Sequence, residues 1–482
     1  MSLLFLGLLV YSLTVAVAWD EGFHLLAAQL IKAGKRPYLD FLFPQTALNA
    51  YWVAAWMRLF GESWRMVHAL AAVLTAGAVL LTGDFVLRRF PILNWRLAAA
   101  LTAAFATGLN VMVFQYGAIG QGYGLCLFLI VAAFRISIFT VERRTLLWPL
   151  LAGFTAGAAA ASSLLTAPVG PVLLLWMTLQ NRMGNRWMKS AAFVLGAFVP
   201  FLPLLWLFVQ APRLVRFNIF DYHLFFRQVE WEGAIRHDLE VLTSWIDSSQ
   251  AVLLGLLALG GLLFIVRRSD WDRPKRAEFY LCGWLALALS IHISNAHPTF
   301  ARYYLFTAPF LAILAAVGLY AAGSRLYTPD RPWAPVIMLT VLLFLGLARA
   351  IYNGHENMNW HDFEQVAKKV QEVTPPRQLL LADEFVYFLL RRQPPSGMEL
   401  EDSHKLNKLP PDLAAALHVL PRKELDQQVK LGRFSTVETC DDDGERMEAL
   451  HLPQLYSKKA DVSGCTIYWD WAKARSGTVR KN

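Results

Sequence analysis

The sequence predicts an α-helical multi-pass membrane protein with about eleven transmembrane helices and a C-terminal soluble α/β domain. Over 482 residues the composition is 56% hydrophobic and 17% charged, which is typical of membrane proteins. The apolar residues form blocks of about 16 to 24 residues, the length that a helix needs to cross roughly 30 Å of hydrocarbon. The eleven blocks are residues 2–18, 65–87, 93–110, 122–140, 146–162, 164–180, 188–209, 249–266, 277–294, 304–322 and 333–352.

The positions of Lys and Arg predict the orientation, because loops left in the cytoplasm carry an excess of both. With the amino terminus inside, every inner loop is basic, and an odd number of spans places residues 353–482 outside. We therefore expect a bacterial inner (plasma) membrane protein with an extracytoplasmic C-terminal domain. The basic residues of the inner loops are Arg88, Arg89, Arg96, Arg143, Arg144, Arg182, Arg186, Lys189, Arg267, Arg268, Arg273, Lys275, Arg276, Arg325 and Arg331.

The first apolar block could be a retained transmembrane helix or a cleaved signal peptide. Ala16, Val17 and Ala18 resemble a signal-peptide cleavage site, and the block is short for a span. However, no Lys or Arg precedes the block, whereas a signal peptide normally starts with positive charge. The sequence favours a retained helix, and cleavage would leave Asp20 close to the new amino terminus.

The net charge of +9 belongs to the membrane part of the chain. Residues 353–482 hold 18 Lys and Arg against 20 Asp and Glu, so residues 1–352 hold 27 against 16. The basicity thus follows the topology and predicts no nucleic-acid partner.

The C-terminal segment, residues 353–482, reads as a small α/β domain. It contains an amphipathic stretch at 363–373, a break at Pro375 and Pro376, and strand-like runs at 378–381 and 465–469. Cys440 and Cys465 lie in this segment, which the topology places in an oxidising compartment. We expect them to form a disulfide, although two unpaired thiols are the alternative.

An acidic pair, Asp20 and Glu21, directly follows the first apolar block. Charges at this depth are costly and are usually retained for function, although they also serve to mark the water boundary. Residues 19–64 then predict two amphipathic helices that lie on the outer membrane surface. A motif runs through this outer segment, formed by Gly34, Pro37, Tyr38, Asp40, Phe41, Pro44, Gln45 and Thr46.

This order of a first helix, an acidic pair and the motif resembles the GT-C glycosyltransferases of the protein-mannosyltransferase superfamily, which includes the aminoarabinose transferases of lipid A. His297 with Pro298, and Arg302 with Tyr303, add to the resemblance. It covers residues 1–352, as a GT-C-like transmembrane catalytic domain, together with an outward-facing tail. It implies inverting transfer of a hexosyl or pentosyl group from a polyprenyl-phosphate donor to a glycan, lipid or protein acceptor at the outer face.

The resemblance also assigns roles to residues. Asp20 is the expected general base, since the acceptor hydroxyl must lose a proton as it attacks, and Glu21 orients Asp20 or binds sugar hydroxyls. The departing phosphate gains charge and needs a cation. Arg302 is the leading candidate because guanidinium suits phosphate geometry. Tyr303 and His297 add donors, and Lys35 and Arg36 are the alternative cations.

The expected sugar and acceptor contacts are His24, Tyr38, Asp40, Gln45 and Asp221. Each residue has a simpler alternative, such as interfacial anchoring for Arg302, helix capping for Asp40 and local hydrogen bonding for His24 and His297. Asp20, Glu21 and Asp40 also offer oxygen ligands for a divalent metal cation, so no cofactor is certain and the sequence leaves a metal requirement open.

A transporter or flippase for a polyprenyl-linked lipid is the alternative function, and a scaffold that has lost catalysis is a third. Transporters place ionisable residues near the bilayer midplane, often in repeated halves. Here the acidic residues collect at the predicted outer interface, and the sequence has no visible repeat. This distribution favours the transferase.

Overall fold

The computed structural model describes residues 1–226, 233–267, 271–326, 332–355, 357–400, 403, 406, 409–440 and 450–472. Arg268 and Arg331 of the predicted inner loops lie outside these ranges. The α-helices are α1 (Ser2–Thr14), α2 (Glu21–Lys32), α3 (Leu48–Phe60), α4 (Trp64–Arg89), α5 (Arg96–Gly108), α6 (Val111–Tyr116), α7 (Tyr123–Glu142), α8 (Leu147–Ser162), α9 (Val169–Gln180), α10 (Arg186–Phe198), α11 (Leu202–Gln210), α12 (Pro212–Arg216), α13 (Ala234–Asp247), α14 (Ser249–Arg267), α15 (Arg273–Ser294), α16 (Ala308–Leu326), α17 (Trp333–Asn353), α18 (Trp360–Val373), α19 (Glu384–Leu390), α20 (Pro411–Ala416), α21 (Arg422–Lys430) and α22 (Leu452–Leu455).

The structure confirms the predicted class of helical multi-pass membrane protein. Within the described residues, seven helices are long and apolar enough to cross a membrane. Each of the eleven predicted blocks overlaps at least one helix, but α1, α5 and α8 have only 13, 13 and 16 residues. The number of helices that span the bilayer therefore stays a prediction. The seven are Trp64–Arg89, Tyr123–Glu142, Arg186–Gln210, Ser249–Arg267, Arg273–Ser294, Ala308–Arg325 and Trp333–Asn353.

Close helix contacts hold the membrane part together. Helix α14 packs on α16, and α8 packs between α7 and α10. At the first of these contacts a Cβ on Gly318 would lie 1.9 Å from the carbonyl oxygen of Leu257, and one on Gly261 would lie 2.1 Å from that of Leu314. Only glycine fits there, as expected where two membrane helices approach through small residues.

The outer segment and the C-terminal segment share one apolar core. Phe23, Leu26 and Phe43 of the outer segment belong to the same buried cluster as Trp360 and Phe385. The part of the C-terminal segment around Trp360 and Phe385 therefore packs against the outer segment, with α19 in contact with α2. The boundary between the two predicted domains stays a prediction.

The C-terminal segment contains a four-stranded sheet in the order β1-β2-β4-β3. Strand β1 is parallel to β2, and the other pairs are antiparallel. Helix α18 begins with a capping box formed by Asn359 and Asp362, which satisfies two free backbone N–H groups. A disulfide joins Cys440 on β2 to Cys465 on β4. The strands are β1 (Leu380–Leu381), β2 (Thr436–Cys440), β3 (Tyr456–Val462) and β4 (Cys465–Trp471).

Candidate active site

A cavity of about 470 Å³ lies where the outer segment meets the helical bundle, within the range of roughly 300–1,000 Å³ for small-molecule sites. Its walls come from the start of α2, residues 44–46, residues 121–123, the end of α8 and the loop after α15. A π-helical segment, Phe217–Phe226, closes another side. Leu164, Phe220 and Leu224 line the cavity and remain exposed to the surroundings, so one side of the cavity opens among apolar side chains.

Asp20 lies at this cavity, in the N-cap position of α2. The unpaired N–H groups of a helix start favour a carboxylate there. Arg302 Nη2 donates a hydrogen bond of 2.6 Å to Asp20 Oδ2. The structure therefore brings together two predicted site residues that are 282 positions apart in the sequence.

Arg302 lies on a short 3₁₀ helix, Ala301–Phe306, that follows the loop after α15. Its guanidinium sits 4.4 Å from the ring centroid of Phe300 and 5.9 Å from that of Tyr303, which holds its plane in place. Its Nε is buried and has no hydrogen-bond partner among the described residues. Arg302 thus keeps donor capacity beyond its bond to Asp20, and Tyr303 lines the cavity beside it.

Glu21 is fully buried, and its carboxylate accepts hydrogen bonds from three parts of the chain. The donors are the backbone N–H of Gly120 at 2.5 Å, Trp360 Nε1 at 3.2 Å and the imidazole of His68. The side chain of His68 also contacts the carbonyl oxygen of Ser12 at 2.5 Å. Among the residues that the structure describes, Glu21 is not part of the cavity wall; instead it joins the start of α2 to α1, α4 and α18.

His297 lines the cavity and contacts Asp238 of α13 through Nδ1. The other oxygen of the Asp238 carboxylate accepts a hydrogen bond of 2.7 Å from the backbone N–H of Thr299. His237 Nε2 contacts the carbonyl oxygen of Thr299 at 3.0 Å. Helix α13 therefore fixes the loop that precedes Arg302 and orients the ring of His297.

His24 and Gln45 also line the cavity. Burial lowers the pKa of His24 to about 4, although the nearby Asp20 and Glu21 carboxylates oppose this shift. The pKa shift means that the imidazole is neutral at neutral pH. The carbonyl oxygen of Gln45 accepts a hydrogen bond of 2.7 Å from the hydroxyl of Tyr38, so Tyr38 supports this wall from outside the cavity.

The other predicted site residues form ion pairs away from the cavity. Lys35 Nζ lies 3.8 Å from Glu399 Oε1, and Arg36 Nη2 lies 3.0 Å from Asp40 Oδ1. The hydrogen bond from Arg36 lowers the pKa of Asp40, a shift that partial burial of the carboxyl opposes. Asp221 Oδ1 accepts from Arg216 Nε at 3.4 Å. None of these residues is part of the cavity wall as far as the structure describes the chain.

Sequence reasoning did not predict several polar residues at the site, among them Thr46, Gln121, Ser162 and Asp238. Thr46, Gln121 and Ser162 line the cavity, and Asp238 contacts His297. Thr46 belongs to the motif of the outer segment, so the sequence could have indicated it. Gln121 and Ser162 lie at the ends of apolar helices and carry no local signal of function.

The predicted metal ligands are occupied by other partners. Asp20 bonds to Arg302, Glu21 to His68, Gly120 and Trp360, and Asp40 to Arg36. Across the described ranges, the group of metal-binding residue types that lies close together is Glu438, Cys440 and Cys465, and its two cysteines form the disulfide. We therefore derive no step that requires a metal.

We predict that Glu21→Gln mainly lowers stability. The new NH₂ group cannot accept, so the N–H of either Gly120 or Trp360 loses its buried acceptor, at a cost of about 1–3 kcal/mol. Thermal unfolding of the purified protein should occur at a lower temperature. Glu364→Gln is the matched control, because Glu364 also accepts from a tryptophan, Trp64, but is half-buried. Equal unfolding temperatures for wild type and Glu21→Gln would contradict this assignment.

The sequence matches no family model and no curated protein, but its fold is similar to solved structures. ArnT from Cupriavidus metallidurans in the apo state matches with a TM-score of 0.65 and 17% identity, over 97% of this chain and 97% of that chain. The same protein bound to undecaprenyl phosphate matches with a TM-score of 0.64 and 16% identity, over 97% and 96%.

The oligosaccharyltransferase of Archaeoglobus fulgidus, in complex with Zn and sulfate, matches with a TM-score of 0.51 and 14% identity, over 81% of this chain and 62% of that chain. Both proteins are glycosyltransferases of the same architecture. At these identities the likeness concerns the fold, and it agrees with the helical bundle and the C-terminal sheet described above. This chain therefore has the GT-C fold.

Proposed function

We propose that this protein is an inverting glycosyltransferase that moves a sugar from a polyprenyl-phosphate donor to a cell-envelope glycan, lipid or protein. The observation that carries the proposal is the Asp20–Arg302 pair at the wall of a cavity with one apolar side. A carboxylate and a guanidinium side by side supply the two groups that such a reaction needs, a base for the acceptor and a cation for the leaving phosphate.

In this reaction the acceptor oxygen forms a bond to the anomeric carbon of the sugar. The bond from that carbon to the phosphate oxygen breaks, and its electron pair leaves with the polyprenyl phosphate. Asp20 takes the proton of the acceptor hydroxyl. Attack from the face opposite the leaving phosphate inverts the configuration at the anomeric carbon.

Arg302 is the proposed phosphate ligand. Its Nε, which has no partner among the described residues, allows it to contact a phosphate oxygen while it remains near Asp20, and the guanidinium lies over the Phe300 ring. His297 and Tyr303 line the same cavity and can donate further hydrogen bonds. Lys35 and Arg36 are less suited, because both form ion pairs elsewhere.

The apolar side of the cavity suits a prenyl chain. Leu164, Phe220 and Leu224 line the cavity and are exposed, so they offer an isoprenoid an apolar surface at the cavity mouth. The structural neighbour ArnT binds undecaprenyl phosphate, which supports a carrier lipid of this chemical class. The basic inner loops support an extracytoplasmic position for the cavity and the C-terminal segment.

We predict that Asp20→Asn reduces transfer by about 10² to 10⁴-fold, the usual contribution of a general base. Turnover should be measured with a synthetic polyprenyl-phosphate sugar, and binding of polyprenyl phosphate should persist. Asp40→Asn is the matched control, because Asp40 belongs to the same outer segment but pairs with Arg36 outside the cavity. Full turnover by Asp20→Asn would remove this residue from the role of base, and lipid transport without transfer would favour a flippase.

We predict that Arg302→Ala weakens binding of polyprenyl phosphate about tenfold or more, since a charge-assisted hydrogen bond contributes about 1.5–3 kcal/mol. Arg302→Lys should recover part of the affinity, because it restores the charge but not the planar fork. Arg36→Ala provides the comparison at the alternative cation. If Arg36→Ala weakened binding and Arg302→Ala did not, the phosphate would belong to Arg36.

We predict that Asp238→Asn lowers catalytic efficiency through His297, by roughly tenfold or more, because small displacements of a reacting group are costly. An asparagine has one acceptor oxygen, so it cannot accept from both Thr299 N–H and the imidazole. A double-mutant cycle with His297→Ala distinguishes this role, because the second substitution should then add little. Glu240→Gln on the same helix is the control, since Glu240 is exposed and pairs with Arg236. Additive losses would show that Asp238 does not act through His297.

A further inference from the structure

Four polar side-chain atoms at the cavity are buried and have no hydrogen-bond partner among the described residues. The residues that carry them are 3% to 7% exposed. A buried polar group without a partner costs about 1–3 kcal/mol, so four of them around one cavity indicate that the contents of the cavity supply the partners. The atoms are His24 Nδ1, Thr46 Oγ1, Gln121 Nε2 and Ser162 Oγ.

The four residues reach the cavity from separate parts of the fold. His24 lies on α2, one turn after Asp20, and Ser162 is the last residue of α8. Thr46 precedes α3, and Gln121 precedes α7. A ligand held by all four is therefore contacted from several directions, as a ring with hydroxyl groups around its edge requires.

None of these four side chains carries a charge at neutral pH. The Thr46 and Ser162 hydroxyls donate and accept, and the Gln121 amide nitrogen donates. The His24 imidazole is neutral at neutral pH, because burial lowers its pKa to about 4. Neutral donors and acceptors match sugar hydroxyls, whereas an ammonium or carboxylate on the ring needs an opposite charge when it is buried.

The carboxylates of the cavity wall already have partners. Asp20 bonds to Arg302, and Glu384, at the first turn of α19, also has a partner. Both Asp20 and Arg302 are near enough to His24 for their charges to act on its pKa. The proposed phosphate site is thus near His24, and the four neutral groups share one cavity with it, as the ring and the phosphate of a sugar phosphate require.

We propose that His24, Thr46, Gln121 and Ser162 bind the sugar ring of the donor and that this ring is uncharged and rich in hydroxyl groups. The inference rests on the proposed transferase function and specifies its substrate class. It distinguishes this chain from enzymes that transfer an amino sugar, whose ring carries an ammonium group.

The test uses the full-length protein and four ligands with the same prenyl chain: the polyprenyl phosphate alone and its conjugates with a neutral hexose, a 4-amino-pentose and a uronic acid. Affinity is measured without acceptor for wild type, Thr46→Val, Gln121→Met and Ser162→Ala. Each variant should bind the hexose conjugate about three- to tenfold more weakly. The affinity for the polyprenyl phosphate without sugar should stay unchanged.

Thr155→Val is the matched control, because the Thr155 hydroxyl on α8 donates to its own helix at the Leu151 carbonyl oxygen. Wild type should also transfer the neutral hexose at least tenfold more efficiently than either charged sugar. Equal losses for the lipid with and without sugar, unchanged affinities in all three variants, or preference for a charged sugar would each overturn the inference. Absence of transfer from every conjugate would instead contradict the proposed function itself.

Discussion

The buried carboxylate of Glu21 is the interaction on which the site depends. It accepts hydrogen bonds from Gly120, Trp360 and His68, and His68 in turn contacts Ser12 of the first helix. One charge thus connects the start of α2 to α1 and α4, to the turn before α7 and to the C-terminal segment. A carboxylate at this depth is tolerated only when donors surround it. Because Asp20 immediately precedes Glu21, this network also fixes the position of Asp20 at the cavity, and two neighbouring carboxylates acquire different environments.

A second set of contacts fixes the cation opposite Asp20. Helix α13 holds the loop of His297 and Thr299 through Asp238 and His237, and this loop leads into Phe300 and Arg302. The aromatic contact of Phe300 with the guanidinium then orients Arg302 toward Asp20. Asp20 and Arg302 are therefore each held by contacts besides their bond to one another. Each is positioned by its own packed network, so the geometry of the site does not depend on a ligand to assemble it.

The sequence predicted the class of fold, because long apolar blocks carry a strong local signal. It also singled out Asp20 and Arg302, which the structure places side by side at the cavity; their roles stay predictions. It assigned different roles to Asp20 and Glu21, but it could not show that Glu21 is fully buried and lies outside the cavity wall of the described residues, because that depends on neighbours distant in the sequence. The sequence did not show that Lys35 and Arg36 are already in ion pairs. The partner of Lys35, Glu399, lies in a distant segment, and the partner of Arg36, Asp40, lies across a tight turn. Gln121, Ser162 and Asp238 were missed because a single polar residue carries no local signal, and its surroundings are set only when segments distant in the sequence meet.

The pairing of Asp20 with Arg302 has a consequence for the proposed reaction. While the carboxylate accepts a hydrogen bond of 2.6 Å from the guanidinium, one of its oxygens is occupied, and proton transfer from an acceptor competes with that bond. A donor phosphate adds two or more acceptor oxygens beside Arg302 and draws the guanidinium toward itself. Binding of the donor then frees the Asp20 oxygen for the acceptor hydroxyl. Under the proposed function, the ion pair between Asp20 and Arg302 thus favours an order in which the donor binds before the acceptor is deprotonated.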